Sequence, residues 1–320
     1  MGDPGGIGLE VILKAISHFK DNWPFIPILI CSEKALSHPF HQQLLQSIRT
    51  KSFIPTKDAK LDSNHLFIDY CSLNEDYAIA EHTASNGRLA FSCLERAVYL
   101  LQHNFADSLC TAPLSKLSLK WASLPYTGHT TSLASLTKTD HVSMAFSSPE
   151  LRVLLHSIHI PLHEVTQTIT EQRLKQTFNH AVEFSKACGF TNARIAVAGL
   201  NPHAGERGKL GFEDSEIIAP LIKHFQNKGV QFSGPHPADT IFWYARQNHY
   251  DTVVALYHDQ ALIPVKTLAF DLAVNVTIGL PFIRTSPDHG TAFDIAYKNT
   301  ANPNSTIEAI QFILNAQQPS

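Results

Sequence analysis

Short apolar runs rich in β-branched residues alternate along this chain with longer stretches whose hydrophobic positions recur at helical spacing. That alternation predicts an α/β protein built on a largely parallel sheet. Strands are expected at Ile26–Cys31, Ser108–Ala112, Leu151–His156, Arg194–Gly199, Thr252–Tyr257 and Val274–Ile278. One amphipathic helix is expected from about Ser85 to Leu101, with Leu89, Cys93, Ala97 and Leu101 on one face, and a second from about Glu171 to Lys186, through Leu174, Phe178 and Ala181. A third begins near Asp214 and carries Ile217, Ile218, Leu221, Ile222 and Phe225; its Pro220 is tolerable only close to the first turn, because a proline in a helix interior removes a hydrogen bond and clashes with the preceding turn. No internal repeat or low-complexity segment interrupts the pattern. The polar stretch Lys51 to Asn64 reads as a surface excursion.

Composition narrows the partners. At 320 residues and 44% hydrophobic content the chain can bury a large core and fill two subdomains. Its 25 Lys and Arg against 28 Asp and Glu give a formal charge of -3, without the polybasic tract that would hold nucleic acid. Apolar stretches such as Phe25 to Cys31 and Arg194 to Leu200 fall well short of the roughly 20 residues of a membrane span. The start, Met1-Gly2-Asp3-Pro4, lacks the basic and apolar regions of a secretory signal. Cys31, Cys71, Cys93, Cys110 and Cys188 stand far apart with no CxxC pair, which reads as buried thiols in a reducing, cytoplasmic setting. Small molecules are therefore the expected partners, with no nucleic acid and no membrane. Of the 18 histidines, residues such as His38, His41 and His103 read as solvated.

Four groups of residues carry candidate chemistry. Gly2-Asp3-Pro4-Gly5-Gly6-Ile7-Gly8, followed by a helical run from Leu9 to Ala15, is either an anion-cradling turn at a helix start or only a tight structural turn, and it lacks the G-x-G-x-x-G spacing of a dinucleotide fold. In Thr127-Gly128-His129-Thr130-Thr131 the glycine lets backbone approach a ligand, and His129 and Thr130 offer hydrogen bonds to a substrate; the plain alternative is a local turn.

The third group is three histidines beside expected strand ends: His159 in SIHIPL, His203 in GLNPHAGE and His258 in YHDQ. Ligands gather at the carboxyl ends of strands in open α/β sheets, and three neutral imidazoles meeting there would hold one divalent ion with positions open for substrate. The fourth is the run Lys266, Asn275, Arg284 and Asp288-His289-Gly290-Thr291-Ala292, whose cations suit a phosphate or carboxylate. Asp239, in the rigid turn Gly234 to Thr240, offers a carboxylate to the same cleft.

Taken in order, GDPGGIG, TGHT, HIPL, GLNPHAGE, PADTIF, YHDQALIPVK and VNVTIGLPFIRTSPDHGTA resemble the signature segments of the 4-hydroxythreonine-4-phosphate dehydrogenases of pyridoxal phosphate biosynthesis. The resemblance implies a two-subdomain architecture like that of isocitrate and isopropylmalate dehydrogenases, not a Rossmann dinucleotide domain. Subdomains are expected at 1–125 with 280–320 and at 126–279, with the active site in the cleft between them. It implies a metal held by His159, His203 and His258, substrate contacts from His129, Thr130, Lys266, Asn275 and Arg284, and proton transfer by Lys266, Asp259 or His129; Asp239, from the rigid turn, is the candidate for a cofactor contact. NAD or NADP would take hydride, and a divalent ion (zinc, magnesium or cobalt) would polarise the substrate hydroxyl and favour decarboxylation. It also implies a homodimer with a metal ligand contributed across the subunit interface.

Two departures from the family pattern stand out. Thr131 and Ser132 are small and polar where relatives carry an acidic or aromatic residue, and Met1 directly precedes the glycine turn where relatives have a short apolar strand, so a strand upstream of Met1 is expected. Three rival readings share much of this chemistry: oxidation of a four-carbon sugar-acid phosphate such as threonate or erythronate 4-phosphate, a zinc hydrolase using the same histidines without NAD, and a phosphate-binding module without activity.

Overall fold

A computed structural model describes residues 1–19, 23–56, 60–270 and 272–317. The chain divides into two units, the first of Met1–Asp140 with Leu280–Leu314, the second with His141–Gly279 as its body. Residues 126–140, expected in the second subdomain, group with the first unit. The helix His129–Thr137 there packs on the helix Ala84–Gln102, the ring of Tyr126 stacks on Phe91 at 5.1 Å, and Gln102 donates to the Leu136 carbonyl.

In the first unit, strands β1 (Ile28–Cys31), β2 (Thr50–Ser52) and β3 (Leu66–Tyr70) form a parallel sheet in the order β1-β3-β2. β2 is exposed and opens the polar stretch expected to be a surface excursion, of which residues 57–59 lie outside the described residues. Leu9, Leu13 and Ile16 of the helix Gly8–His18 and Leu89 and Cys93 of the helix Ala84–Gln102 fill the core with Leu29, Cys31 and Leu66. The long helix starts where the hydroxyl of Thr83 accepts from Asn86 N, capping an otherwise orphaned donor. β4 (Ser108–Cys110) pairs in parallel with β11 (Ile283–Pro287).

The second unit contains β5 (Ser143–Ser147), β6 (Arg152–Leu155), β7 (Ile195–Ala198), β8 (Phe232–His236), β9 (Thr252–Ala255) and β10 (Val274–Ile278). They run in the order β10-β5-β6-β9-β7-β8; β5 is antiparallel to both neighbours and the rest pair in parallel. β7 and β9 are buried at every position, as parallel strands covered on both faces must be. The helix Glu171–Ala187 contacts β5, β6, β9 and β10. Helices Ala238–Arg246 and His258–Ala269 contribute Ile241, Ala245, Ala261, Leu262 and Val265 to a core with Val153, Ala196 and Val253. Phe178 stacks on Phe232 at 4.7 Å and meets Phe225 edge-on at 5.5 Å. The helix expected near Asp214 begins as a π-turn, Asp214–Ile218, and Pro220 stands second in the α-helix Ala219–Gln226, where its missing N–H costs little.

Two histidines behave unlike solvated residues. His41, read from sequence as a surface residue, is fully buried: its Nδ1 lies 2.7 Å from the Ala35 carbonyl and its ring 4.8 Å from that of Tyr297. His156 bridges the Thr177 hydroxyl at 2.7 Å and the Thr168 carbonyl at 3.0 Å. Burial, which penalises the charged imidazolium, lowers both to about 4. A depressed imidazole pKa leaves stability intact above the unfolded value near 6.5 and removes it as pH falls towards 4, because only the unfolded chain then takes up the protons. Urea unfolding should therefore show stability falling from pH 7 to pH 4.5 with proton uptake on unfolding, of which His41 and His156 contribute about one each, so His156→Gln should lower the uptake by about one; a flat profile would contradict the burial assigned to these rings.

Candidate active site

In the first unit the glycine turn proves to be a strut. Asp3 N donates to the Pro113 carbonyl, Gly6 N to the Asp3 carbonyl and Ile7 N to the Thr291 carbonyl, so these donors are spent inside the protein and do not form an anion cradle. The Asp3 carboxylate is wholly buried and accepts from Gly5 N at 2.9 Å, Asn86 Nδ2 at 2.9 Å and Ser118 Oγ at 3.0 Å; burial outweighs these bonds and raises its pKa. A Cβ on Gly6 would stand 2.7 Å from the Thr291 carbonyl oxygen, which accounts for glycine there.

His129 and Thr130 are the first two residues of the helix His129–Thr137, directly after Gly128, and both are half-buried. The polar Thr131 and Ser132 act locally, since both hydroxyls donate to the Gly128 carbonyl, at 3.0 and 2.9 Å, and fix the helix start. Burial, reinforced by the cation of Arg284, holds the His129 imidazole neutral, with its pKa well below the ordinary value. Arg284, on β11, is 3% exposed, and burial depresses its pKa to about 10, so it stays charged at neutral pH. Its Nε and Nη2 both donate to Thr111 Oγ1, at 3.2 and 2.6 Å. A buried guanidinium, a neutral imidazole and a helix start form a set suited to a phosphate or carboxylate. Beyond β11, His289 Nδ1 lies 3.1 Å from the Gly290 carbonyl, and its Nε2 is buried with no hydrogen-bond partner.

In the second unit His159, His258 and His203 follow the carboxyl ends of β6, β9 and β7, three neighbouring parallel strands. Two of the rings meet: His159 and His258 have centroids 5.5 Å apart. His258 opens the helix His258–Ala269, and its Nδ1 lies 2.7 Å from Asp259 Oδ1, a bond that directs the Nε2 lone pair outward in the manner of a metal-ligating histidine. The third ring does not join them. Among the described residues no three His, Cys, Asp or Glu side chains gather as a metal-holding group within one chain. His203 is exposed, on a turn in which five consecutive residues, His203 to Arg207, have positive φ of 41° to 75°. Each non-glycine residue there costs about 1–2 kcal/mol of local strain, so the surroundings must impose the shape. Asp214 does so: its carboxylate accepts from Leu200 N at 2.8 Å, Asn201 N at 3.0 Å and Asn201 Nδ2 at 3.1 Å.

Lys266 lies two turns along the same helix as His258, half-buried, with its ammonium 5.1 Å from the Phe270 ring centroid. Asn275, on β10, has a buried Oδ1 with no hydrogen-bond partner, a state that suits an acceptor awaiting a donor. Asp239 is exposed in the first turn of Ala238–Arg246. Three supporting residues escaped the sequence reading: Thr111, Asp214 and Gln260. Gln260 is 8% exposed, accepts from Leu256 N at 2.7 Å and donates to the Gly199 carbonyl at 2.8 Å. The D-Q pair after His258 was the only signal for it.

Two groups of side chains stand out in this α/β chain: in the second unit a strand-end imidazole pair with an aspartate behind one ring, and in the first unit a buried arginine beside a neutral histidine, the latter suited to an anionic small molecule. The family model described as "Pyridoxal phosphate biosynthetic protein PdxA" matches residues 25–313. The chain is 41% identical to a 4-hydroxythreonine-4-phosphate dehydrogenase of Ruegeria sp., over 99% of this chain and 96% of the relative, and 37% identical to a D-threonate 4-phosphate dehydrogenase of Pectobacterium atrosepticum, over 98% and 97%. The crystal structure of 4-hydroxythreonine-4-phosphate dehydrogenase from Klebsiella pneumoniae superposes with a TM-score of 0.85 at 35% identity, covering 99% of this chain and 97% of that one. The chain belongs to the PdxA family of pyridoxal phosphate biosynthetic proteins, and with it to the dehydrogenases. The hydrolase and binding-module readings end here, because the matched relatives are dehydrogenases.

Asp214→Ala should release the strained turn. Hydrogen exchange at the amides of Leu200 and Asn201 should quicken and stability fall by about 2–3 kcal/mol, the loss of hydrogen bonds to a charged acceptor. Unchanged protection at both amides would show that another contact imposes the left-handed run.

Proposed function

We propose that this chain oxidises 4-phosphohydroxy-L-threonine with NAD and decarboxylates the product to 3-amino-2-oxopropyl phosphate, a step towards pyridoxal 5'-phosphate. The observation that carries the reading is the His159–His258 pair at the ends of β6 and β9, with Asp259 bonded to His258. This donor set fits part of a divalent-ion site. His159 and His258 would hold the ion, and His203 completes the three where two copies of the chain meet. Large exposed apolar residues of the second unit, Leu162 at 69%, Ile263 at 66%, Phe270 at 67% and Phe212 at 61%, support a homodimer. When bound, a divalent ion such as zinc, magnesium or cobalt would supply Lewis acidity to the substrate oxygen, and NAD or NADP would accept the hydride.

The chain's own groups divide the remaining work. Arg284, its fork held by Thr111, binds the phosphate, with neutral His129 and the Thr130 hydroxyl as uncharged partners. Asn275 Oδ1 accepts from the substrate's ammonium or hydroxyl. Asp259 is engaged with His258, so Lys266 is the better proton carrier: it takes the hydroxyl proton as hydride leaves the carbon, and after the carboxylate carbon departs as carbon dioxide it returns a proton to the carbon left behind. Asp239 serves a ribose hydroxyl of the dinucleotide, a contact that favours NAD over its 2'-phosphorylated form. Five cysteines free of disulfides accord with a reducing cytoplasm.

A second substrate has specific support, since the Pectobacterium relative is a D-threonate 4-phosphate dehydrogenase at 37% identity. Phosphate, hydroxyl and carboxylate are common to both substrates, and only the amino group separates them.

NADH absorbance should rise with 4-phosphohydroxythreonine, NAD and a divalent metal, and the active species should sediment at twice 35.5 kDa. His258→Ala should lower kcat/KM by about a thousandfold or more, and Arg284→Ala should act mainly through KM. Turnover of threonate or erythronate 4-phosphate alone would keep the chemistry and change the substrate. No NADH from any of these, with folded metal-loaded protein, would overturn the proposal.

A further inference from the structure

The phosphate reading leaves a charge to account for in the first unit. A phosphate monoester carries about -1.5 to -2 at neutral pH. His129 is held neutral and Lys266 is given the proton transfer, so of the residues that the proposed function assigns to the phosphate Arg284 alone brings a full positive charge. A dianion beside one buried cation would keep an uncompensated charge in half-buried surroundings, which is costly.

Lys116 stands where a second cation is needed. It is exposed at the first position of the helix Lys116–Trp121, whose start is fixed by Ser115 Oγ accepting from Ser118 N at 3.0 Å. Its side chain extends to Gly128: Lys116 Cε lies 3.6 Å from the point a Cβ on Gly128 would occupy. Gly128 immediately precedes His129 and Thr130, so the last carbon before the ammonium passes over the start of the helix that presents both proposed phosphate partners. No ion pair engages the Lys116 ammonium among the described residues. The flexible four-carbon stem of lysine delivers a point charge from a distance without the fixed geometry a guanidinium demands.

We propose that Lys116 is a further anion contact of this site, closing on the substrate's phosphate at the Gly128–His129 helix start as a second cation beside Arg284's contribution, and so selecting phosphorylated over unphosphorylated substrates. This rests on the phosphate role given to Arg284 and His129 above. Lys116 touches only the phosphate and takes no part in hydride or proton transfer, so its loss should raise KM and leave kcat nearly unchanged.

The test uses the full chain and inorganic phosphate as the probe, so that it does not depend on which hydroxy acid is oxidised. Calorimetric titration of phosphate should show affinity at least about tenfold weaker in Lys116→Gln and within about threefold of the parent in Lys116→Arg. In the unsubstituted protein, phosphate should slow acetylation of the Lys116 amine by acetic anhydride, read by mass spectrometry, and leave exposed Lys120 of the same helix unaffected. Equal phosphate affinity in Lys116→Gln and the parent, equal acetylation of Lys116 with and without phosphate, or no phosphate binding by the parent would each overturn the proposal. Phosphate binding lost in Lys116→Gln while no substrate yields NADH would leave this contact standing and sink the oxidation reading. NADH formation with KM and phosphate affinity unmoved in Lys116→Gln would do the reverse.

Discussion

One buried amide holds the second unit's candidate chemistry in place. Gln260 accepts from Leu256 N, just past the end of β9, and donates to the carbonyl of Gly199, just past the end of β7. Two neighbouring parallel strands are thereby tied at their carboxyl ends by a single side chain in a low-dielectric setting, where leaving either half unpaired would cost about 1–3 kcal/mol. Gln260 lies within the first turn of the helix that begins at His258, so the bond sets both the direction of that helix and the height of the imidazole above the sheet. Asp214 does the corresponding work on the far side of Gly199, where three donors converge on one carboxylate and force the following residues into a left-handed run. The backbone sets the place of His203, whereas His258 is bonded to Asp259.

The first unit solves a different problem, keeping a positive charge available in a buried place. Arg284 is nearly without exposure, and its depressed pKa records the cost of burying the guanidinium. Two bonds to the Thr111 hydroxyl fix the plane of the fork. The neighbouring His129 stays neutral partly because of that cation, so the pair combines one charged and one uncharged donor, which orients an anion and limits repulsion between the protein's own groups.

Much of this was legible in the sequence. The apolar run of β7 and the largely apolar run of β9 announced buried parallel strands, and the helical face through Leu174, Phe178 and Ala181 is the one buried in the helix Glu171–Ala187. Strands β2, β3, β5, β8 and β11 were missed, most of them because their residues depart from the expected pattern: β2 is polar and exposed throughout, β8 contains Gly234 and Pro235, and β11 buries an arginine, a threonine and a serine. The three candidate histidines were singled out by their places after expected strand ends, whereas the residues that support them were not. Thr111, Asp214 and Gln260 act through hydrogen bonds that include partners 173, 14 and 61 positions away, which no local pattern encodes. The glycine turn left two readings open, an anion cradle and a structural turn, and the carbonyls of Pro113 and Thr291, which take its donors, favour the second. His41 likewise looked solvated until the rings of Phe40 and Tyr297 enclosed it.

The proposed chemistry depends most on one claim, that His159 and His258 form the core of a divalent-ion site oriented by Asp259. Titration of the full chain with cobalt(II), followed by visible absorption, tests it most directly. The expected result is one tightly bound ion per chain, loss of that binding in His258→Ala, and affinity weakened about 10- to 100-fold in Asp259→Asn, where the orienting carboxylate is gone and the ligand remains. Cobalt bound by His258→Ala with the stoichiometry and affinity of the parent would contradict it.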